Sequence, residues 1–173
     1  IPENNRDLGF DFVVGDWTAP HGAGIKADVV FYLEREWKNR SDFSATLKTR
    51  FPNKGDGMLL TKMDVRFGSV FKLPRTAPES GYFNEALTYI KSKPDHPIEL
   101  NYEDSNSWIF RVRTVLNEAG KVESALYGKI RGPIKIDPIN SSTAWVIMTY
   151  YLNPDGTPNL EFDSSRNLFE NLK

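Results

Sequence analysis

Two acidic residues near the end of the chain have a spacing that acid–base catalysis could use. Glu161 and Asp163 flank Phe162, so in an extended segment both carboxylates would point to the same side. Hydrolysis of a glycosidic bond needs two carboxyl groups that face the scissile bond. A third acidic residue three positions further on would strengthen this interpretation, but that position holds Arg166. A glycoside hydrolase that uses Glu161 and Asp163 is therefore an alternative hypothesis rather than the leading one.

The sequence carries no signature of metal or cofactor chemistry. Its two histidines, His21 and His96, both lie in turn-like Pro and Gly contexts, and Cys is absent. The oxygen-rich segments 101–106 and 153–159 lack the Asp-x-Asp-x-Asp-Gly order of a calcium loop and are typical of Asx turns. There is no phosphate-binding glycine loop and no Gly-x-Ser-x-Gly elbow. We therefore predict neither a metal nor a cofactor.

Basic residues recur at spacings that place two of them on one side of a strand. If the strands are neighbours, these pairs form a patch that would attract an acidic glycan, a phosphate-bearing ligand or an acidic protein surface. The alternative is a mixed, solvated face in which Asp64, Glu123 and other acids neutralise them. The pairs are Lys48 with Arg50, Lys62 with Arg66, Arg111 with Arg113, and Lys129 with Arg131.

Several aromatic residues fall outside the alternating core pattern, among them Trp17 and Tyr82. Flat aromatic faces suit the C–H faces of sugar rings, while polar neighbours bind the hydroxyl groups. Packing against the sheet is the competing explanation for each ring. The ligand-binding residues predicted from sequence are Trp17, Tyr82, Arg111 and Arg113.

A period of two dominates the chain and predicts that strands position these residues. In residues 43–51, Phe43, Ala45 and Leu47 share one face, while Ser44 and Lys48 share the other. Similar alternation occurs in residues 8–14, 59–67, 108–112 and 122–130. Residues 144–152 are apolar or aromatic on both faces, which predicts a central strand. The fold class is therefore all-β, an antiparallel β-sandwich or flattened barrel of about eight to ten strands in one domain spanning residues 1–173.

Turn-forming residues predict how these strands connect. Residues 53–57, 117–120 and 153–156 combine Asn, Asp and Gly, and each predicts a hairpin. Pro133 and Pro138 bracket a short piece that we expect at a sheet edge. Residues 72–107 contain four prolines and little alternation, so we expect one long loop excursion there. Short helices are predicted at residues 79–90 and in the tail after Asp163.

Composition excludes some classes of partner. Lys and Arg number 22 against 23 Asp and Glu, so the chain carries a formal charge of −1 and has no global attraction for nucleic acid. No apolar run is long enough to span a bilayer. The chain begins at Ile1 rather than Met, which fits a processed mature protein or a trimmed one. Export is therefore possible, and the oligomeric state is left open.

Four segments together carry a resemblance to known proteins: residues 10–17, 72–78, 125–130 and 149–154, the last continuing through 159–163 and 166–169. They are similar to uncharacterised exported surface lipoproteins of gut Bacteroidetes. The resemblance covers most of the chain and transfers no catalytic residue. It implies an exported protein, at the cell surface or in the periplasm, with a possible lipid anchor on a Cys upstream of Ile1. It also implies organisms whose surface lipoproteins often bind glycans.

The segment Phe-Val-Val-Gly-Asp-Trp at residues 12–17 also resembles the opening of lipocalin-type barrels. Three functional hypotheses follow. The leading one is a non-catalytic binding module of an exported or cell-surface protein, with a carbohydrate as its ligand. The alternatives are a lipocalin-like barrel that binds a small apolar ligand and the glycoside hydrolase.

Overall fold

The computed structural model describes residues 1–62, 74–138, 140, 144–161, 163 and 165. Ten strands are assigned within this part of the chain. In chain order they are β1 Asp7–Asp11, β2 Asp16–Trp17, β3 Val29–Asn39, β4 Asp42–Arg50, β5 Gly57–Lys62, β6 Glu85–Lys93, β7 His96–Leu100, β8 Asn106–Leu116, β9 Val122–Asp137 and β10 Trp145–Asn153.

The strands form two antiparallel sheets. One has six strands in the order β2-β1-β3-β4-β6-β7, and the other has four in the order β10-β9-β8-β5. Because neither sheet closes on itself among the described strands, the architecture is a β-sandwich. The predicted all-β sandwich is confirmed, and the flattened barrel, which the lipocalin-like hypothesis requires, is not the architecture observed.

Alternation along β4 explains how the six-stranded sheet acquires an inner face. Phe43, Ala45 and Leu47 are buried, whereas Lys48 and Arg50 are exposed. Apolar side chains on one face lose contact with water when the second sheet covers them, and this burial is the main favourable term in folding. The same rule gives β8 a buried inner pair, Phe110 and Val112.

Aromatic rings from both sheets meet at the centre of the sandwich. Phe12, which directly follows β1, stacks on Phe110 of β8 with ring centroids 4.4 Å apart. Tyr150 of β10 meets Phe12 edge to face at 4.9 Å, and its hydroxyl donates a hydrogen bond to the Phe12 carbonyl oxygen at 3.0 Å. The rings therefore join the two sheets directly.

Gly128 on β9 makes room for the Phe110 ring. The two residues pair directly across the β8–β9 ladder, and a Cβ at position 128 would lie 2.2 Å from Phe110 Cζ and 2.5 Å from the Tyr151 carbonyl oxygen. We expect Gly128→Ala to lower the free energy of unfolding by about 1–3 kcal/mol through overpacking, measured by urea denaturation. The double variant with Phe110→Leu should lose less than the sum of the two single variants, and additive losses would contradict the steric explanation.

The predicted excursion at residues 72–107 is wrong for residues 85–100, and so is the helix predicted at 79–90, whereas residues 74–84 and 101–105 do lie outside the named strands. Residues 85–100 form a hairpin, β6 and β7, which extends the six-stranded sheet. The reason is visible in β6, where Thr88 and Ile90 are buried while Leu87 points to solvent. Pairing with β4 from Glu85 to Ser92 outweighs the local helix preference at the start of β6.

The prediction that residues 144–152 form a central strand is also wrong. β10 lies at the edge of the four-stranded sheet, with β9 as its neighbour in that sheet. Its even-numbered residues, Val146, Met148 and Tyr150, pack against the core, while Trp145 and Ile147 on the other face are exposed. The inner row of β10 is apolar because it packs in the core. The outer row is also apolar, but Trp145 and Ile147 in it are exposed to solvent.

One predicted hairpin of three is confirmed. Residues 117–120 join β8 and β9, which pair with each other. Residues 53–57 instead carry the chain from one sheet to the other, because β4 and β5 belong to different sheets. After residues 153–156 the chain does not return along β10, since Asn159 forms its bridge with Thr76.

Three expectations from sequence fall partly or wholly outside the described residues. They are the extension of the strand at 59–67 beyond Lys62, the basic residue Arg66, and the tail helix beyond residue 165. The short piece between Pro133 and Pro138 is the end of β9, where it pairs with β10. In the part of the chain that the structure describes, no helix is long and apolar enough to cross a membrane.

Candidate ligand-binding face

Arg113, one of the predicted ligand-binding residues, points into a buried acidic cluster. A bulge shifts the β8–β9 register between Val112 and Val115, and Arg113 has φ of 56°. Its Nε donates to Asp28 Oδ1 at 2.9 Å, and its Nη2 donates to Asp11 Oδ1 at 2.8 Å and to Asp28 Oδ2 at 3.1 Å. Both carboxylates are only 1% exposed. Arg113 thus links β8 to the β1 side of the opposite sheet.

The pKa values of the two buried aspartates are shifted in opposite directions. Burial raises the pKa of Asp28 above its ordinary value, although Arg113 opposes the rise. Burial acts on Asp11 in the same direction, but four backbone N–H donors outweigh it and hold the pKa of Asp11 below its usual range. These donors are the N–H groups of Val13, Val14, Ile25 and Lys26.

Asp56 stabilises the bulge that aims Arg113. Its carboxylate accepts hydrogen bonds from the backbone N–H groups of Arg113 at 2.9 Å and Thr114 at 2.8 Å. A bulge removes backbone groups from the ladder, so a side-chain acceptor is needed at a buried site. Asp56 supplies it from the loop between β4 and β5.

Arg111 and Tyr82 form a second internal contact on the outer side of β8. The Arg111 guanidinium lies 4.5 Å from the Tyr82 ring centroid and donates to the carbonyl oxygens of Gly55 and Glu79. The Tyr82 hydroxyl donates to the Pro78 carbonyl oxygen at 2.9 Å, and burial raises the pKa of Tyr82 to about 12. The structure brings these two predicted residues together, and each uses its polar groups within the chain.

Trp17, the fourth predicted residue, lies on β2 at the edge of the core. Its ring meets Phe10 and Phe31 edge to face, with centroids 5.5 and 5.9 Å apart. The four predicted residues therefore lie at three different places, and each makes intramolecular contacts. Their role in ligand binding stays a prediction.

The basic pairs on the polar faces are largely matched by acids. Lys48 lies 2.5 Å from Glu34, Arg50 lies 2.6 Å from Asp7, and Lys62 lies 2.6 Å from Glu103. These pairs are solvent-exposed and each contributes little to stability. The first two pairs give the outer face of the six-stranded sheet the mixed charge that is the alternative to a basic patch, and the third lies at the end of β5 in the other sheet.

The acidic pair of the hydrolase hypothesis is not on a strand. Glu161 lies 3.4 Å from Arg75, and Asp163 Oδ1 accepts hydrogen bonds from the backbone N–H and hydroxyl of Ser165. His21 lies beside Glu3, and His96 is exposed on β7. Within the described ranges, no group of three or more His, Asp or Glu residues could hold a metal ion.

The outer face of the four-stranded sheet carries a different arrangement, which we call the basic–aromatic stripe. It consists of one row on β10 and one on β9, brought together by the register of that pair. The β10 row is Trp145, Ile147, Thr149 and Tyr151, and the β9 row opposite it is Asp137, Lys135, Arg131 and Lys129.

The apolar end of the stripe is open to solvent. Trp145 is 56% exposed and Ile147 is 47% exposed, although both are large apolar side chains on a strand whose other face packs in the core. Trp145 stands opposite Asp137, and Ile147 stands opposite Lys135. Lys135 itself lies 3.1 Å from the exposed Asp104. An exposed tryptophan therefore lies on the outer face with an acidic and a basic residue on the neighbouring strand.

The basic end of the stripe is less neutralised. Arg131 is exposed, and its side chain contacts no acid in the part of the chain that the structure describes. Lys129 donates to the Leu160 carbonyl oxygen at 2.6 Å and lies 5.8 Å from the Tyr151 ring centroid. A backbone carbonyl accepts this hydrogen bond without cancelling the lysine charge. Positive charge therefore remains at this end.

Part of the stripe was visible in the sequence. The sequence predicts Lys129 and Arg131 as a basic pair, because they lie two positions apart on one strand. It does not single out Trp145 and Ile147, because a run that is apolar on both faces predicts a central strand. No local signal in residues 144–152 distinguishes the exposed outer row from the buried inner one, because the residues of both rows are apolar or aromatic apart from Thr149.

Comparison of the chain with protein families, with curated proteins and with solved structures finds no match, so its function is inferred from its own geometry.

Proposed function

We propose that this chain is a non-catalytic binding module whose ligand is a carbohydrate, bound on the basic–aromatic stripe. The observation that carries the proposal is the exposure of Trp145 on the outer face of the four-stranded sheet, where Asp137 is its partner in the β9–β10 register and Lys135 is the partner of Ile147. A sugar ring has an apolar face that stacks on an aromatic ring and hydroxyl groups that need polar partners. The stripe offers both on one sheet face.

The pairing of the two strands favours binding. All eight residues of the stripe are paired across β9 and β10, with one irregularity in the register between Ile147 and Thr149. A preformed site loses little conformational entropy when it binds, so more of the contact energy appears as affinity. An exported or cell-surface setting suits a glycan-binding module, and a lipid anchor upstream of Ile1 remains a prediction.

Trp145→Ala is expected to weaken glycan binding about tenfold or more, because aromatic anchors commonly contribute over 1 kcal/mol each. Affinity electrophoresis through gels that contain neutral or acidic polysaccharides measures the change as a loss of retardation. Leu87→Ala is the matched control, since Leu87 is 62% exposed on the outer face of the other sheet. This variant should migrate like the unmodified protein.

Two outcomes would contradict the proposal. If the unmodified protein shows no retardation with any polysaccharide of the panel, carbohydrate binding is ruled out altogether. If Trp145→Ala and Leu87→Ala reduce the retardation equally, the stripe is not the binding site, because a general loss of apolar surface then explains both results. Circular dichroism spectra that match the unmodified protein ensure that both variants are folded.

A further inference from the structure

We infer that the stripe selects an acidic oligosaccharide, with a carboxylate or sulfate of the sugar on Arg131 and a sugar ring on Trp145. This inference rests on the proposed function and adds the charge, the orientation and the minimum length of the ligand. It follows from how the cations of the stripe are partnered, from where its acids lie and from how far apart its ends are.

Arg131 has donors that no described residue uses. In the described part of the chain its guanidinium contacts no carboxylate, whereas Arg50 and Arg113 each lie within 3 Å of one. A planar guanidinium matches a carboxylate or sulfate with two parallel hydrogen bonds. Thr149, directly opposite on β10, adds a hydroxyl beside it. An anionic group of a ligand completes this site.

Lys129 adds a second positive charge at the same end. It lies two positions before Arg131 on the outer row of β9, and its ammonium group donates a hydrogen bond to the Leu160 carbonyl oxygen. Burial lowers the pKa of Lys129, and Glu161 acts in the opposite direction. A cation with reduced access to water gains more from a bound anion than a fully hydrated one. Glu161 itself is engaged by Arg75 at 3.4 Å.

The acids of the stripe lie at its other end. Asp137 stands opposite Trp145, and Asp104 pairs with Lys135. Carboxylates accept hydrogen bonds from sugar hydroxyls but repel an anionic substituent. The ligand therefore binds in one direction, with its charged group at the Arg131 end and an uncharged ring over Trp145.

The length of the stripe sets the length of the ligand. Thr149 and Trp145 are four residues apart on β10, which corresponds to about 13 Å along an extended strand. This distance exceeds the width of a single sugar ring, so one monosaccharide cannot contact both ends. An oligosaccharide can, and it gains affinity from joining two weak contacts in one molecule.

A nucleic acid fits the stripe less well. Its phosphates repeat at every nucleotide and would meet Asp137 and Asp104 at the Trp145 end. The chain as a whole also carries a formal charge of −1, so it offers no long-range attraction to a polyanion. An acidic glycan that alternates charged and neutral rings avoids this repulsion.

The experiment compares each acidic polysaccharide with an uncharged partner of the same backbone. Hyaluronan, which alternates carboxylate-bearing and neutral rings, is paired with its methyl ester. κ-Carrageenan, which alternates sulfated and neutral rings, is paired with its desulfated form, so that carboxylate and sulfate are tested separately. Affinity electrophoresis and calorimetry are run on the unmodified protein, on Arg131→Gln and on Arg40→Gln, a control at an exposed arginine in the β3–β4 turn.

We expect at least one acidic polysaccharide to bind about tenfold more tightly than its uncharged partner, since a charge-assisted pair contributes roughly 1.4 kcal/mol or more. Arg131→Gln should abolish this preference, so that the acidic polysaccharide and its uncharged partner bind with similar, weak affinity, whereas Arg40→Gln should retain the preference. Added salt should weaken the acidic interaction selectively. Oligosaccharides should compete with the polymer, and the monosaccharide should not.

The outcomes separate the two claims. If uncharged glycans bind as tightly as acidic ones, or if Arg131→Gln keeps the preference, the inference is wrong and the proposed function stands. If no glycan of either kind binds, both are wrong. If a single-stranded oligonucleotide or polyglutamate displaces the glycan with equal affinity, the stripe is a general anion site and the inference is overturned.

Discussion

Replacing Arg113 by methionine is expected to lower the free energy of unfolding by about 3–5 kcal/mol, because it leaves two buried carboxylates without their shared partner. Asp11 and Asp28 are each 1% exposed, and Arg113 donates three hydrogen bonds to them. Methionine has a similar length and no charge, so the change tests the ion pairs rather than the volume. Urea denaturation followed by tryptophan fluorescence measures the loss.

The loss should depend on pH in a defined direction. The pKa of Asp28 is raised by burial even when Arg113 is present, and it should rise further without the arginine. A raised pKa in the folded state means that the protonated carboxyl is easier to bury than the ionised one. The loss of unfolding free energy caused by Arg113→Met is therefore full at pH 7, and it becomes smaller as the pH falls through the raised pKa of Asp28. Asp11 behaves oppositely in the unmodified protein, because its pKa is lowered and its contribution is lost only as the pH falls below the usual aspartate range.

Arg131→Met provides the matched control for this prediction. It makes the same chemical change on the neighbouring strand, at an exposed position, and should alter stability by less than about 0.5 kcal/mol. Equal losses for the two variants, or a loss for Arg113→Met that does not diminish at lower pH, would show that the buried carboxylates are not the cause.

Phe110→Ala is also expected to lower the free energy of unfolding by about 3–5 kcal/mol, because it opens a cavity between the two sheets. Phe110 is fully buried, stacks on Phe12 at 4.4 Å and lies opposite Gly128. Because Gly128 has no side chain, it cannot fill the space that the ring leaves. The cost should therefore lie toward the upper end of the range.

The control for the cavity is Phe83→Ala. Phe83 is 68% exposed, and its contacts with Met58 are made by its backbone. This variant should be nearly neutral in urea denaturation. A loss at Phe110 no larger than that at Phe83 would mean that the aromatic cluster does not hold the sheets together.

Strands whose one face is buried were predictable from the sequence. β4 alternates strictly, so its inner residues follow from period two alone, and the β8–β9 hairpin follows from the turn at residues 117–120. β6 was not predictable in this way, because Glu85, Ala86 and Leu87 favour a helix locally and only their pairing with β4 makes them a strand. The number of strands in each sheet likewise depends on contacts between distant segments.

The internal role of Arg113 could not be predicted because it depends on a bulge. Without a bulge, period two places Arg111 and Arg113 on the same side of β8, as the sequence predicted. The bulge after Val112 re-aims Arg113 toward Asp28, 85 positions earlier in the chain. The stripe was only half predictable for a related reason, since β10 becomes an edge strand through topology rather than through its own residues.

The hydrogen bond between Tyr150 and Phe12 joins residues 138 positions apart. Until β10 has been synthesised and has docked, the Phe12 ring and the adjoining apolar face have no cover on that side. Loop closure over such separations is entropically costly, which is typical of slowly folding β-topologies. While β10 is undocked, the apolar face beside Phe12 is open to association with other copies of the chain.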